Sequence, residues 1–123
     1  GEEPFCAPES AALRDFTLKI NPDYTVSWHT KGEEIYWRFH QTGERLKRDF
    51  RLACVLSAAT GYPLKEARFS AGGYKDWCVE KLKIPAFTVE AGSDTLSHPL
   101  DFSALPDLLK NNLDAVARLA EEF

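Results

Sequence analysis

Short β-branched and aromatic segments alternate with longer segments of helical periodicity along this chain. Residues 24–28 and 86–89 have the composition of strands, and a long helix is predicted from Thr42-Gly43 to just before Gly61. Strands that alternate with helices form a sheet covered by helices on both faces. The sequence therefore predicts an α/β fold in which the chain contributes part of a mixed open sheet.

Capping and turn signals place the other elements. They predict a helix from Pro8, a second strand at 34–39, an extended segment at 64–69, a short helix at 74–82 and a last helix capped by Ser103. Helical spacing predicts one apolar stripe on each of the two longer helices. The stripe of the first comprises Leu46, Phe50, Ala53, Cys54 and Ser57, and that of the last comprises Leu105, Leu109, Leu113, Val116, Ala120 and Phe123.

The charge balance argues against nucleic-acid and membrane partners. The formal net charge is -4, and the densest basic stretch, residues 45–51, is interrupted by Asp49 and fits a solvated helix face. No apolar run approaches the ~20 residues that cross a bilayer. The three cysteines form no Cys-x-x-Cys pair, and Cys54 is predicted to be a buried thiol. A reduced, cytoplasmic protein is therefore favoured.

Two residues that can bind a metal or transfer a proton follow predicted strands. His29 comes directly after residues 24–28, and Glu90 comes directly after residues 86–89. Ligands of an open α/β sheet collect at the carboxyl ends of its strands. A histidine and a carboxylate delivered there can act as a metal ligand and a general base. Position alone leaves open the alternative that each is an ordinary surface or core residue.

The segments around these residues resemble the zinc carboxypeptidase family. Residues 72–77, Gly-Gly-Tyr-Lys-Asp-Trp, precede a strand that ends in Glu90, and residues 28–30, Trp-His-Thr, are similar to the third zinc-ligand segment of the family. The residues of these segments are most similar to those of the bacterial γ-D-glutamyl-L-diamino acid endopeptidases, which cut cell-wall peptides. The resemblance covers essentially the whole chain. Residues 1–123 are thus identified as a C-terminal portion of a zinc peptidase catalytic domain.

The resemblance also implies site residues and a mechanism. Zinc would polarise the scissile carbonyl and acidify a bound water, with His29 as the third ligand and Glu90 as the general base. Lys75 stands at the position that lines the floor of the side-chain pocket in the family, and a lysine there would suit a substrate carboxylate such as the distal one of diaminopimelate. A solvent-facing helix lysine is the alternative. Arg68, at the position of the mobile tyrosine of many members, is either a positive charge for an oxyanion or an acidic substrate, or a plain surface arginine.

One departure from the family limits what this chain can do alone. The other two zinc ligands of the family come from an upstream His-x-x-Glu motif, which is absent from this sequence. We therefore expect the full-length parent to be the zinc peptidase acting on a peptide or muropeptide, and the fragment to bind zinc weakly and to be inactive. The alternative is a non-catalytic α/β binding module derived from the peptidase framework, and the missing motif is the feature that this alternative explains best. Truncation is also expected to uncover apolar surface and to permit self-association.

Overall fold

The computed structural model describes residues 3–66 and 71–123. Helices and strands alternate along it, as the sequence predicts. The elements are α1 (Pro8–Ile20), β1 (Thr25–His29), β2 (Glu34–Tyr36), α2 (Gly43–Thr60), β3 (Leu64–Lys65), α3 (Tyr74–Trp77), β4 (Ala86–Glu90), α4 (Leu105–Asn112) and α5 (Ala115–Ala120). A π-helical turn, Cys78–Leu82, extends α3, and a 3-10 turn, Phe102–Ala104, precedes α4.

The four strands form one mixed sheet in the order β1-β4-β2-β3. β1 runs parallel to β4, β4 runs antiparallel to β2, and β2 runs parallel to β3. The predicted mixed open sheet is therefore confirmed. β1 is a terminal strand of this described sheet. β4 lies between β1 and β2, the two strands that carry most of the polar residues of the sheet.

One face of the sheet packs on α2 and α5. Ile35, Phe87 and Val89 point into this core, where they meet apolar residues of the two helices. The helical members of the core are Leu52, Ala53, Leu56, Ala115 and Leu119. Alternate residues of each strand point to opposite faces, so the residues between these apolar positions face the other side.

The opposite face is only partly covered. Cys78 and Val79 of the π-helical turn pack on Ala86 at the beginning of β4, and Trp77 and Tyr74 contribute partly buried rings. Tyr74 Oη also lies 2.8 Å from Thr17 Oγ1, which joins α3 to α1. Helices therefore lie on both faces of the sheet, but α3 covers the beginning of β4 rather than its end.

The buried side of α2 differs from the predicted stripe. The buried residues are Asp49, Leu52, Ala53, Leu56 and Thr60, whereas Phe50 and Cys54 are exposed. The prediction that Cys54 is a buried thiol is therefore wrong. Leu52, Ala53 and Leu56 pack in the core, and Cys54 lies outside that contact. Asp49 is also buried, and its carboxylate accepts a hydrogen bond from Gln41 at 3.0 Å and pairs with Arg48 at 2.7 Å. A paired carboxylate can occupy a core position that a sequence pattern assigns to the surface.

The last helix also differs from its prediction. It is interrupted after Asn112, and its buried residues are Ala115 and Leu119 instead of the predicted stripe, of which Leu105, Leu109 and Leu113 are exposed. Asp101, not Ser103, caps the preceding 3-10 turn, because its carboxylate accepts the Ser103 N–H at 2.8 Å. None of the helices in the described ranges has the length and apolar character needed to cross a membrane.

Candidate active site

His29 and Glu90 end neighbouring parallel strands and lie side by side. They are register partners at the last positions of β1 and β4, and His29 Nδ1 is 3.9 Å from Glu90 Oε1. The imidazole is 58% exposed and the carboxylate side chain 20% exposed. The predicted meeting of the two residues at one edge of the sheet is confirmed. Their roles as metal ligand and general base stay predictions.

Two residues of β2 extend this pair into a polar surface. Glu34 lies opposite Glu90 on the antiparallel neighbour, and Tyr36 lies opposite Thr88. Cross-strand partners share a face of the sheet. The resulting polar face comprises His29, Glu90, Glu34, Ser27, Thr88 and Tyr36. Sequence reasoning missed Glu34 and Tyr36, although their alternation with the buried Ile35 was the available signal.

Tyr36 on this face is held in its protonated form. Its hydroxyl donates a hydrogen bond to the Glu34 carboxylate. This hydrogen bond, together with burial and the nearby charges of Glu34, Glu90 and Asp94, raises the pKa of Tyr36 to about 12. At neutral pH the phenol is therefore a hydrogen-bond donor and not a base.

Lys75 is buried at the beginning of α3. Only 8% of the residue is exposed, and its ammonium group pairs with the Asp76 carboxylate. The same nitrogen donates to the Arg38 carbonyl at 3.3 Å and lies 5.4 Å from the centre of the Phe39 ring. The alternative of a solvent-facing lysine is therefore wrong. A buried lysine beside a carboxylate is a neutral pair rather than an isolated cation.

Asp76 links this pair to the Gly-Gly turn. One carboxylate oxygen accepts the Gly73 N–H at 3.3 Å, and the other pairs with Lys75. Because α3 packs over the face of the sheet that carries Ala86, Thr88 and Glu90, Lys75 lies on the same side of the sheet as the polar face. Arg68, the second predicted substrate-binding residue, lies outside the described residues, so its role stays a prediction.

The donor atoms of the described residues do not complete a metal site. Within residues 3–66 and 71–123, no group of three His, Cys, Asp or Glu side chains is arranged to hold an ion. Catalytic zinc needs three protein ligands and an open position. The exposed imidazole of His29 fits one such ligand, and the others are not among the residues that the structure describes.

No family model matches the chain. Two curated proteins are similar to it in sequence. One is "Gamma-D-glutamyl-L-diamino acid endopeptidase 1" of Lysinibacillus sphaericus, 35% identical over 115 residues, which are 92% of this chain and 28% of that protein. The other is "Uncharacterized protein YqgT" of Bacillus subtilis (strain 168), 30% identical over 104 residues, which are 83% of this chain and 27% of that protein. The chain thus spans roughly a quarter of each relative's length.

Solved structures show the same fold. The crystal structure of thrombin activatable fibrinolysis inhibitor matches 99% of this chain and 35% of its own, with a TM-score of 0.83 and 21% identity. The bovine protein, solved in complex with tick carboxypeptidase inhibitor, matches 99% of this chain and 47% of its own, with a TM-score of 0.84 and 20% identity. The predicted carboxypeptidase-type α/β fold is confirmed by these matches.

Proposed function

We propose that this chain, which resembles the zinc carboxypeptidase-type peptidases in sequence and fold, carries part of an active site that hydrolyses γ-D-glutamyl-diamino acid bonds of cell-wall muropeptides. One observation supports the assignment above all others. His29 and Glu90 meet at the carboxyl ends of adjacent parallel strands, 3.9 Å apart and open to solvent. This is where an open α/β sheet binds its ligand.

Glu90 is the proposed general base. Its carboxylate is partly shielded but accessible, and it stands at the end of a strand that is otherwise largely buried. A carboxylate in that position takes a proton from the attacking water and returns it to the departing amine. The rigid strand fixes where the carboxylate lies, which such proton transfers require because they act over hydrogen-bond distance.

His29 is the proposed zinc ligand contributed by this chain. A zinc ion would supply Lewis-acid polarisation of the scissile carbonyl. The described residues provide one histidine ligand beside the base, so the further ligands are proposed to come from a His-x-x-Glu motif in a longer parent protein. We accordingly propose that the chain by itself is inactive.

Lys75 is proposed to bind the substrate side chain and thereby to contribute to specificity. Its ammonium group has three donors, and Asp76 and the Arg38 carbonyl occupy two of them. One donor is left for the distal carboxylate of diaminopimelate. Because Asp76 already neutralises the lysine, the attraction for that carboxylate is weaker than an unpaired ammonium would provide.

The terminal strand β1 and the exposed apolar side chains of α1 are the proposed sites of self-association. Trp28 on this terminal strand is exposed, and α1 exposes Leu13, Phe16, Leu18 and Ile20. A terminal strand also offers backbone hydrogen-bonding groups to another chain. We propose that copies of the isolated chain associate through these sites.

The function is tested in the full-length parent with a γ-D-glutamyl-diaminopimelate peptide as substrate. Glu90→Gln should lower the rate roughly 10²- to 10⁴-fold while bound zinc is kept, because only the proton acceptor is removed. His29→Ala should lose zinc together with activity, and His98→Ala, which changes an exposed loop histidine, should lose neither. Wild-type rates for Glu90→Gln would refute the proposal. A parent that binds the peptide without zinc and without cleavage would instead establish the non-catalytic module.

A further inference from the structure

The chain segments that leave His29 and Glu90 are hydrogen-bonded to each other. The Ala91 N–H donates to the His29 carbonyl at 2.8 Å, and the Gly32 N–H donates to the Gly92 carbonyl at 2.8 Å. Residues 91–101 form a loop without helix or strand between β4 and the 3-10 turn. Such loops are usually the more mobile parts of a fold unless specific contacts hold them.

Lys31 supplies contacts of that kind. Its ammonium group donates to two backbone carbonyls of the loop, those of Asp94 and Leu96. The Leu96 N–H donates to the Ser93 carbonyl at 3.0 Å, so Lys31 binds a turn that the loop already forms. Three donors on one nitrogen allow a single lysine to satisfy two carbonyls at once. We call this arrangement the Lys31 clamp.

A side chain of α4 also packs against the loop. Gly92 has a φ of +85°, and a Cβ atom on it would lie 3.0 Å from Leu108 Cδ2 and 3.1 Å from Leu96 Cδ1. A side chain at this position would have to displace both leucines and adopt a backbone conformation that residues other than glycine rarely adopt. The loop is therefore held between α4 and the Lys31 clamp.

The clamp lies next to the Cβ atom of Glu90. A Cβ atom on Gly32 would lie 3.4 Å from Glu90 Cβ, so the Gly32 backbone packs against the side chain of the proposed base. Movement of the loop would reach Glu90 directly through Ala91 and also through the hydrogen bond between Gly92 and Gly32. In enzymes, a displacement of about 1 Å at a reacting group can cost roughly 100-fold in rate.

We propose that Lys31 is a positioning residue, which holds residues 91–96 against residues 30–32 and thereby keeps the Glu90 carboxylate beside His29. The proposal rests on the proposed function, because the placement of Glu90 matters for catalysis only if Glu90 is the base. It adds a residue whose side chain binds the loop carbonyls and acts through Glu90.

Two variants and a control test the clamp. Lys31→Met keeps the length of the side chain and removes every donor, whereas Lys31→Arg keeps donors that can bind two carbonyls. Lys47→Met is the control, because Lys47 is an exposed lysine of α2 that pairs with Glu44 at the surface. The first measurement is amide hydrogen exchange in the present chain, followed at Leu96, at Gly32 and at the core residues Leu52 and Leu56.

Lys31→Met should speed exchange at Leu96 and Gly32 by roughly ten-fold or more and leave Leu52 and Leu56 unchanged, because the opening is local. Lys31→Arg should restore slow exchange, and Lys47→Met should have no effect. Equal acceleration at all four amides would assign Lys31 to the stability of the whole fold and overturn the proposal. Unchanged exchange at Leu96 would overturn it as well.

The second measurement separates this proposal from the proposed function. In the full-length parent, Lys31→Met should lower kcat roughly ten-fold or more at unchanged KM, with recovery in Lys31→Arg, because a displaced base affects the transition state more than substrate binding. A raised KM at unchanged kcat would overturn the positioning role. If Glu90→Gln proves fully active, the proposed function fails, whereas the exchange experiment still decides whether the clamp exists.

Discussion

Tyr36 donates a hydrogen bond to Glu34, two residues earlier on the same face of β2. The bond raises the pKa of Tyr36 to about 12, so the folded chain holds this proton more tightly than the unfolded chain does. The stability from this shift should be fully present below pH ~10, the ordinary range of tyrosine, and should be lost as the pH rises towards the folded value. Burial also raises the pKa of Tyr74, so ultraviolet titration should show late-ionising phenols in the wild type, of which the one contributed by Tyr36 is missing in Tyr36→Phe. Glu34→Gln should shift its ionisation to lower pH, and an unchanged curve in that variant would contradict the assignment.

Zinc binding by the present chain should be weak and should depend on His29. A single imidazole lacks the chelate geometry that gives catalytic zinc its affinity. Titration with a zinc indicator should detect no tightly bound ion, and His29→Ala should abolish the weak binding that remains. His98→Ala is the matched control. Stoichiometric zinc retained through dialysis against a mild chelator would show this expectation to be wrong.

Lys75 and Asp76 should make strongly coupled contributions to the free energy of unfolding. Both side chains are 9% exposed, so the removal of either partner leaves a nearly buried charge without compensation. Lys75→Met should lower the free energy of unfolding by about 3 kcal/mol, whereas the double variant Lys75→Met/Asp76→Asn should lose clearly less. Urea unfolding of the wild type, Lys75→Met, Asp76→Asn and the double variant measures the coupling. Additive losses would show that the pair contributes little.

Lys75 should also influence which side chain the full-length parent accepts. Lys75→Met should weaken cleavage of the diaminopimelate substrate about ten-fold and leave the lysine-containing analogue nearly unchanged, since only the former has a distal carboxylate. The ratio of the two kcat/KM values is the measurement, because loss of folded protein affects both substrates equally. An equal fall for both would assign Lys75 to the fold.

Self-association should weaken when the exposed apolar side of α1 is made polar. Phe16→Glu on α1 should weaken the association of the isolated chain roughly ten-fold or more, because a buried phenylalanine contributes about 1.5–3 kcal/mol to an apolar contact. Phe102→Glu is the control, as Phe102 is exposed in the 3-10 turn before α4. Sedimentation velocity over a range of concentrations measures the effect. A wild-type chain that stays monomeric at high concentration would contradict the proposal.

Elements that depend on local chemistry were predictable from the sequence. The first helix begins at Pro8, α2 ends before Gly61, and the strand Ala86–Glu90 has its predicted bounds. Each follows from a fixed φ, a capping position or an apolar run, which act over a few neighbouring residues. The juxtaposition of His29 and Glu90 was predictable too, because parallel neighbouring strands end at the same edge.

Contacts between distant residues were not predictable in this way. Leu52, Ala53 and Leu56 of α2 pack with Ile35, Phe87 and Val89 of the sheet. Cys54 lies outside that contact and is exposed. The predicted stripe of the last helix is exposed for a related reason, since Ala115 and Leu119 are the residues that reach the core. Helical periodicity identifies a face but does not say which of two candidate faces meets the sheet.

The sequence by itself determined the order of elements, the resemblance to the zinc carboxypeptidases and the two residues at the strand ends, because these depend on residue type and spacing. The tertiary structure alone decided that Tyr36 and Glu34 join them on one face, that the Lys75 ammonium group meets the Arg38 carbonyl, and that Lys31 binds the loop after Glu90. Those arrangements arise from strand register and from side chains that meet across 63 or 65 positions of the chain, as Lys31 does with Asp94 and Leu96. Local propensity carries no information about such pairings, which form only when the packed sheet brings the segments together.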